Sequence, residues 1–377
     1  MKSSDRNVDS MAGTVAPRRR RDPRRSPGLF FLHVLLIVLL LAVATAAVAV
    51  RTVSGRAKGR TDTVTLAGGA RQATDDDSLG PLSGPPSRPV SMDADLRAKG
   101  YDLPQDANVY AVRVIEGPEG RIYEQFEAGG GALADDFWPA SSIKVLAALG
   151  ALDFARSLGF TGAATVAFDD GLPSQTLRSI YEPAIRDSSN YDYDLLVRIA
   201  GLDHLNDAFL TARNGFPVTY INRSYGGLPF AESPAMVFEE GDRRAYVPVR
   251  KSTREPECAG NCSNLFEMAE SVRRIVLHDD IPVDQRFALD ALDVKALAGA
   301  LLDAEGFFAP PVSRVLGAGA KIWSKPGDAA EQDCLDVAFI ESRTGRRFLV
   351  AASVPHRSGG CEALARLARG VLERLAR

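Results

Sequence analysis

"FWPASSIKVLAALGAL", residues 137–152, opens on an aromatic pair and a proline and then becomes an apolar helical run carrying one charge, Lys144. Ser141 stands just before that run, where a hydroxyl commonly caps the free N–H groups of a helix. Lys144 follows three residues later, about 300° around an α-helix, so both side chains share one face. The pair therefore has two readings: a capping serine beside a solvated lysine, or a nucleophile beside its base. Ser-x-x-Lys recurs by chance in a chain of 377 residues, and the spacing alone does not choose between them.

The flanking pattern places this helix inside a mixed domain. Upstream, "VYAVRVIEGPEGRIYEQFEA" (109–128) holds two alternating runs, 109–115 and 121–126, around Gly117, Pro118 and Gly120, which predicts a β-hairpin. Downstream, helical periodicity recurs at 190–213, 264–278 and 287–303. Strand patterns then return in "GAKIWSKPG", "CLDVAFIES" and "GRRFLVAASV", followed by a terminal helix, "CEALARLARGVLERLAR". Strands at both ends with helices between predict an α+β fold, with one antiparallel sheet built from both ends of the domain and a helical subdomain. No internal repeat is visible.

Composition, 45% hydrophobic and 25% charged, is that of a folded protein. Residues 1–60 carry 12 Lys/Arg and 3 Asp/Glu; from totals of 45 and 48, the remainder keeps 33 against 45, a net of −12. So acidic a main region argues against nucleic acid as a partner. The basic start precedes "LFFLHVLLIVLLLAVATAAVAV" (29–50), interrupted only by His33 and Thr45. As a helix it reaches about 33 Å, enough to cross a hydrocarbon core of roughly 30 Å. The preceding cations favour a cytoplasmic N-terminus, a bias that Arg51, Arg56, Lys58 and Arg60 weaken. A cleaved signal peptide is the competing reading, since "ATAAVAV" offers small residues, but the apolar core is longer than a signal peptide needs. Both readings export the main domain. Residues 51–107 are rich in Gly, Ser, Pro, Thr and charge and read as a flexible linker, with a span of roughly 40 Å.

Four cysteines, 258, 262, 334 and 361, suit an oxidising compartment, and Cys258–Cys262 would close a short loop. Zinc is the alternative, but its fingerprint needs a second close pair or nearby histidines. The chain has only His33, His204, His278 and His356. No metal or cofactor is expected.

Two segments bear on the opening question. "AIRDSSNYDYDLLVRIAG" (184–201) sets Ser188-Ser189-Asn190 before a helix, and "AKIWSKPGD" (320–328) sets Lys325-Pro326-Gly327 at a strand end. Ser-x-x-Lys, Ser-x-Asn and Lys-x-Gly in that order resemble the three elements of class A β-lactamases and penicillin-binding proteins. The resemblance spans about 108–377 and includes the hairpin, "PASSIK", Leu195-Leu196, the closing strands and the last helix. It implies that Ser141 is the nucleophile and Lys144 its activator. Ser188 would relay a proton to the leaving nitrogen, and Lys325 would orient Ser188 and attract a substrate carboxylate. Asn190 would hold a substrate amide, and the backbone N–H groups of Ser141 and Asp328, the latter following Gly327, would form an oxyanion hole. A neutral Lys144 requires burial or a neighbouring cation, which Lys325 would supply. With the anchor, it also implies a single-pass protein of a bacterial cell membrane, with an extracytoplasmic domain acting on a small-molecule or peptidoglycan-derived substrate.

Two departures limit what carries over. Pro326 replaces a hydroxyl residue, removing a side-chain donor and a backbone N–H where a substrate carboxylate would bind; Asp328 beside it also disfavours an anion. The family's Arg-x-Glu-x-x-Leu-Asn stretch, whose glutamate activates the deacylating water, aligns with "RSYGGLP": Arg223 and Leu228 match, but Tyr225 stands in the glutamate's place. Glu232, Glu239 and Glu240 follow as possible substitutes, in an insertion at 229–263 that holds "CAGNC". Three functions stay open: a β-lactamase, a penicillin-binding peptidase with slow β-lactam turnover, and a non-catalytic envelope module on the same fold.

Overall fold

The computed structural model of the chain describes residues 89–377, apart from 119, 135–137, 254–257, 259 and 331. The basic segment, the expected membrane span at 29–50 and most of the expected linker lie outside the described residues. Among the described residues no helix is long and apolar enough to cross a membrane.

The chain enters through β1 (Val90–Ser91) and α1 (Asp93–Ala98), then forms the hairpin β2 (Asn108–Gly117) and β3 (Gly120–Ala128). A 3₁₀ turn, Ala140–Ile143, leads into α2 (Lys144–Ser157). There follow β4 (Thr165–Phe168), β5 (Gln175–Thr176), α3 (Leu177–Arg186) and α4 (Asn190–Ala200). Next come β6 (Glu232–Ser233), β7 (Met236–Glu240), β8 (Arg243–Val247) and β9 (Arg250–Lys251). Three helices, α5 (Leu265–Val276), α6 (Ala291–Leu302) and α7 (Ala309–Leu316), precede β10 (Lys321–Asp328), β11 (Asp333–Glu341), β12 (Arg347–Pro355) and α8 (Gly360–Leu375).

The main sheet has the order β1-β3-β2-β12-β11-β10, so strands from the two ends of the domain meet where β12 pairs with β2. All pairs are antiparallel except the short β1–β3 contact. Successive strand residues face opposite sides, and both sides here are covered. Val109, Ala111, Val350 and Ala352 join the cluster under α8, which supplies Leu364, Leu367 and Val371 at helical spacing. Tyr110, Val112, Val337 and Phe339 join the larger cluster with Phe266, Ala269 and Val272 of α5. Burial on both faces explains why "CLDVAFIES" reads as an almost unbroken apolar run.

α2 is apolar around its circumference and buried from Lys144 to Leu152, as a helix passing through a core must be. It packs against α4, and its leading 3₁₀ turn lies against β10. The residues expected at the site therefore gather where the central helix, the α4 start and the sheet edge come together.

Several expectations change. Residues 90–98, inside the stretch expected as linker, form β1 and α1 and bury Met92 and Leu96. The helix expected over 190–213 stops at Ala200, because Gly201 adopts φ +79°; a π turn at 204–209 and a 3₁₀ turn at 212–214 follow. The 229–263 segment contributes β7 and β8 to a second sheet of order β5-β4-β7-β8. The cysteines form two disulfides, Cys258–Cys262 and Cys334–Cys361.

Candidate active site

Neither Ser141 nor Ser188 is a helix cap. The 3₁₀ turn has Pro139 at its N-cap and no side-chain cap, and α4 is capped by Ser189, whose hydroxyl accepts from Asp192 N–H at 3.2 Å. Ser188 itself sits at φ +56° and Ala140 at φ +43°. Only one other described non-glycine residue, Asp106, has a positive φ, so this uncommon backbone state is concentrated at the site.

Ser188 Oγ is the meeting point. Lys144 Nζ approaches it at 3.2 Å and Lys325 Nζ at 2.9 Å. Lys144 Nζ also donates to the Ser188 carbonyl at 2.5 Å and to Asn190 Oδ1 at 2.6 Å, and Lys325 Nζ donates to the Pro326 carbonyl at 3.1 Å. A hydroxyl has two acceptor lone pairs and one proton. With both lone pairs facing ammonium groups, the Ser188 proton is left to point elsewhere.

Both lysines are fully buried. Desolvation, reinforced by the Lys325 charge, brings Lys144 down to about 7 against the opposing pull of Asp194 and Asp192. Desolvation likewise lowers Lys325 to about 8, partly offset by Asp336. Asp336 is buried too and pushed up to about 6, although Ser324 Oγ (2.6 Å) and Phe308 N–H (3.0 Å) donate to it.

Ser141 lines a cavity of about 540 Å³ together with Asn190, Tyr225, Asp328 and, from residues that the sequence reading did not single out, Trp138 and Gln332. Among the described residues, Lys144 makes no hydrogen bond to Ser141 Oγ; its three donors face Ser188 and Asn190. Gly327 packs close to the 3₁₀ turn: a Cβ there would lie 3.1 Å from the Ala140 Cβ and 3.0 Å from Leu335. Pro326 is accommodated because β10 is an edge strand.

The opposite wall is the 222–228 loop. Asp194 gathers it, accepting from Ser224 Oγ (2.6 Å) and the N–H groups of Tyr225 (2.7 Å), Gly226 (2.8 Å) and Leu228 (3.0 Å). A side chain on Gly226 would strike the Asn190 carbonyl, 2.8 Å from its Cβ, so the loop can press onto α4 only with glycine there. Asn261 of "CAGNC" holds the loop from behind, accepting from Asn222 and Arg223 N–H at 2.9 and 3.0 Å and donating to Tyr193 Oη at 2.9 Å. Asn190 and Asp194, four apart on one helix face, carried a usable sequence signal for this wall; Asn261 carried none.

Tyr225 stacks on Tyr193 at 4.7 Å and donates from Oη to the Ala140 carbonyl at 3.0 Å. Burial raises its phenol above the ordinary range. The three candidate substitutes do not reach the cavity: Glu239 pairs with Arg244, Glu240 with Thr161 and Arg243, and Glu232 is exposed on β6.

No protein-family model and no curated protein matches the sequence. The solved structures do. A class A β-lactamase from Mycobacterium abscessus superposes with a TM-score of 0.52 at 15% identity, over 76% of this chain and 100% of that one. The chain has a β-lactamase-like fold. A point mutant of PBP-A, solved as its acyl-enzyme with penicillin G, matches this β-lactamase-like chain equally well. Its TM-score is 0.52 at 18% identity, over 78% of this chain and 99% of that one. Superposition at identities this low shows the β-lactamase-like fold and leaves the chemistry to the site.

Proposed function

We propose that the protein is a membrane-tethered, extracytoplasmic serine hydrolase that forms an acyl-enzyme on Ser141 and releases the acyl group slowly. The observation that carries this reading is Ser188 Oγ shared by two buried lysines whose charges are both disfavoured, beside the cavity that Ser141 lines. Isolated surface lysines would have no reason to be so placed.

Lys144 makes three contacts, the full donor set of an ammonium. With its pKa at about 7 it loses a proton readily at neutral pH. The neutral amine keeps two donors and gains a lone pair, which can take the Ser141 proton as Oγ attacks the substrate carbonyl. The C–N bond then breaks. Ser188 gives its proton to the leaving nitrogen and is resupplied through the lysines, and the Ser141 and Asp328 N–H groups bind the developing oxyanion.

Release requires a base for water. Tyr225 occupies the glutamate's place in the aligned loop and, with its phenol raised by burial, is protonated at neutral pH. This favours a penicillin-binding acyl hydrolase over an efficient β-lactamase. The perturbed lysine pair speaks against a non-catalytic module. The apolar 29–50 run supports the membrane anchor, and two disulfides suit an oxidising space outside the cytoplasm.

The test is covalent labelling of the full-length protein, in detergent, by a fluorescent penicillin. Wild type is expected to label and Ser141→Ala not to. Equal labelling of both, or of neither, removes the Ser141 assignment.

A further inference from the structure

Only two charged side chains line the Ser141 cavity among the described residues, Arg223 and Asp328, and they belong to different walls. Arg223 belongs to the 222–228 loop and lies over the Trp138 ring, 4.4 Å from its centroid. Asp328 ends β10 on the sheet-edge wall.

That edge wall offers an incoming anion little. Lys325 is fully buried and engaged with Ser188 Oγ and the Pro326 carbonyl. Pro326 has neither a hydroxyl nor an N–H. His356 Nε2 donates to Asp328 Oδ1 at 2.7 Å, but His356 is not among the cavity-lining residues. The contact pins one carboxylate oxygen and leaves the half-exposed side chain at the cavity. Cys361, whose sulfur lies near this pair, is locked in its bond to Cys334, so the pair is not a free three-ligand metal set. What remains is an acceptor-only group at the end of the strand that carries Lys325.

We propose that Asp328 is a specificity-determining residue: it accepts a hydrogen bond from a carboxamide or an ammonium group beside the scissile bond, and it disfavours substrates with a carboxylate there. The inference builds on the Ser141 acylation reading. Preferred substrates are accordingly acyl compounds whose leaving side is amidated or cationic, and a carboxylate elsewhere on the molecule is directed toward Arg223.

The test uses binding, so that it stands apart from acylation. Three N-acetyl dipeptides, identical except for a C-terminal carboxylate, carboxamide or aminoethyl amide, are titrated calorimetrically into full-length Ser141→Ala protein in detergent. The carboxamide and the aminoethyl amide are expected to bind at least about tenfold tighter than the carboxylate, a modest ratio because Asp328 is partly solvated. Adding Asp328→Ser, with its melting temperature checked against the parent, is expected to bring the three affinities within about twofold. Equal or stronger binding of the carboxylate, a ratio that survives Asp328→Ser, or no binding of any of the three overturns the proposal. Failure of the acylation reading appears separately, as absence of Ser141-dependent labelling by a fluorescent penicillin whose carboxylate is amidated, with the binding preference intact.

Discussion

The wall carrying Ser141, with the cluster of Lys144, Ser188 and Lys325 beside it, and the wall formed by residues 222–228 meet at one cavity, yet they hold opposite kinds of group. The first concentrates buried cations around a hydroxyl, with Lys144 lowered to about 7 and Lys325 to about 8. The second presents a stacked phenol whose proton is held more tightly than usual, on a loop fixed by Asp194 and Asn261. One wall is suited to moving protons and the other to staying still. On the proposed reading, the first wall supports acylation and the second offers no base to speed deacylation.

The largest test of this contrast is Lys144→Met, which keeps the side-chain volume and removes the amine. The second-order rate of penicillin labelling is expected to fall by about 10²–10⁴-fold, the worth of a placed general base. A loss of less than tenfold would break the contrast, because the first wall would then lack its proton acceptor. Next comes Tyr225→Glu, which sets a carboxylate on the second wall. Acyl-enzyme lifetime, followed by intact mass, is expected to shorten by about 10²-fold, with steady hydrolysis of a chromogenic cephalosporin. Rapid steady turnover by wild type would remove the contrast outright.

Smaller effects sharpen it. The neutral fraction of Lys144 grows as pH rises through about 7, and the Lys325 ammonium is lost as pH rises past about 8. Labelling is therefore expected to gain about fivefold from pH 6 to 7 and to decline above about 8. A flat profile between pH 5 and 9 would assign the proton transfer to another group. Asn261→Ala leaves two loop N–H groups and Tyr193 Oη without their partner. Its expected cost is about 1–3 kcal/mol of stability, read from denaturant unfolding, with labelling by the first wall largely retained.

The first wall was legible in the sequence and the second was not. Ser141, Lys144, Ser188, Asn190 and Lys325 fall at fixed spacings around element boundaries, where a short motif carries geometry. The main sheet was legible for a similar reason: alternation in β2 and β3 and long apolar runs in β11 and β12 outweigh local noise. β4 and β7 form a sheet only by finding each other about 70 residues apart, which no local pattern announces. α3 contains Pro183 and α7 begins at Ala309 with prolines next, residues that argue against a helix when read locally. Tyr225 was placed by alignment alone; its stacking on Tyr193 and its bond to the Ala140 carbonyl depend on tertiary packing.

Position 188 shows two demands on one residue. Its backbone, at φ +56°, would be most at ease with glycine, since a side chain in this region costs roughly 1–2 kcal/mol. A glycine there would leave both lysines without their common acceptor. Sequence libraries sorted for thermal resistance should therefore drift toward glycine at 188, whereas libraries sorted for reaction with an acyl donor should hold serine. The residue that selection returns at this one codon would tell which of the two demands has governed the chain.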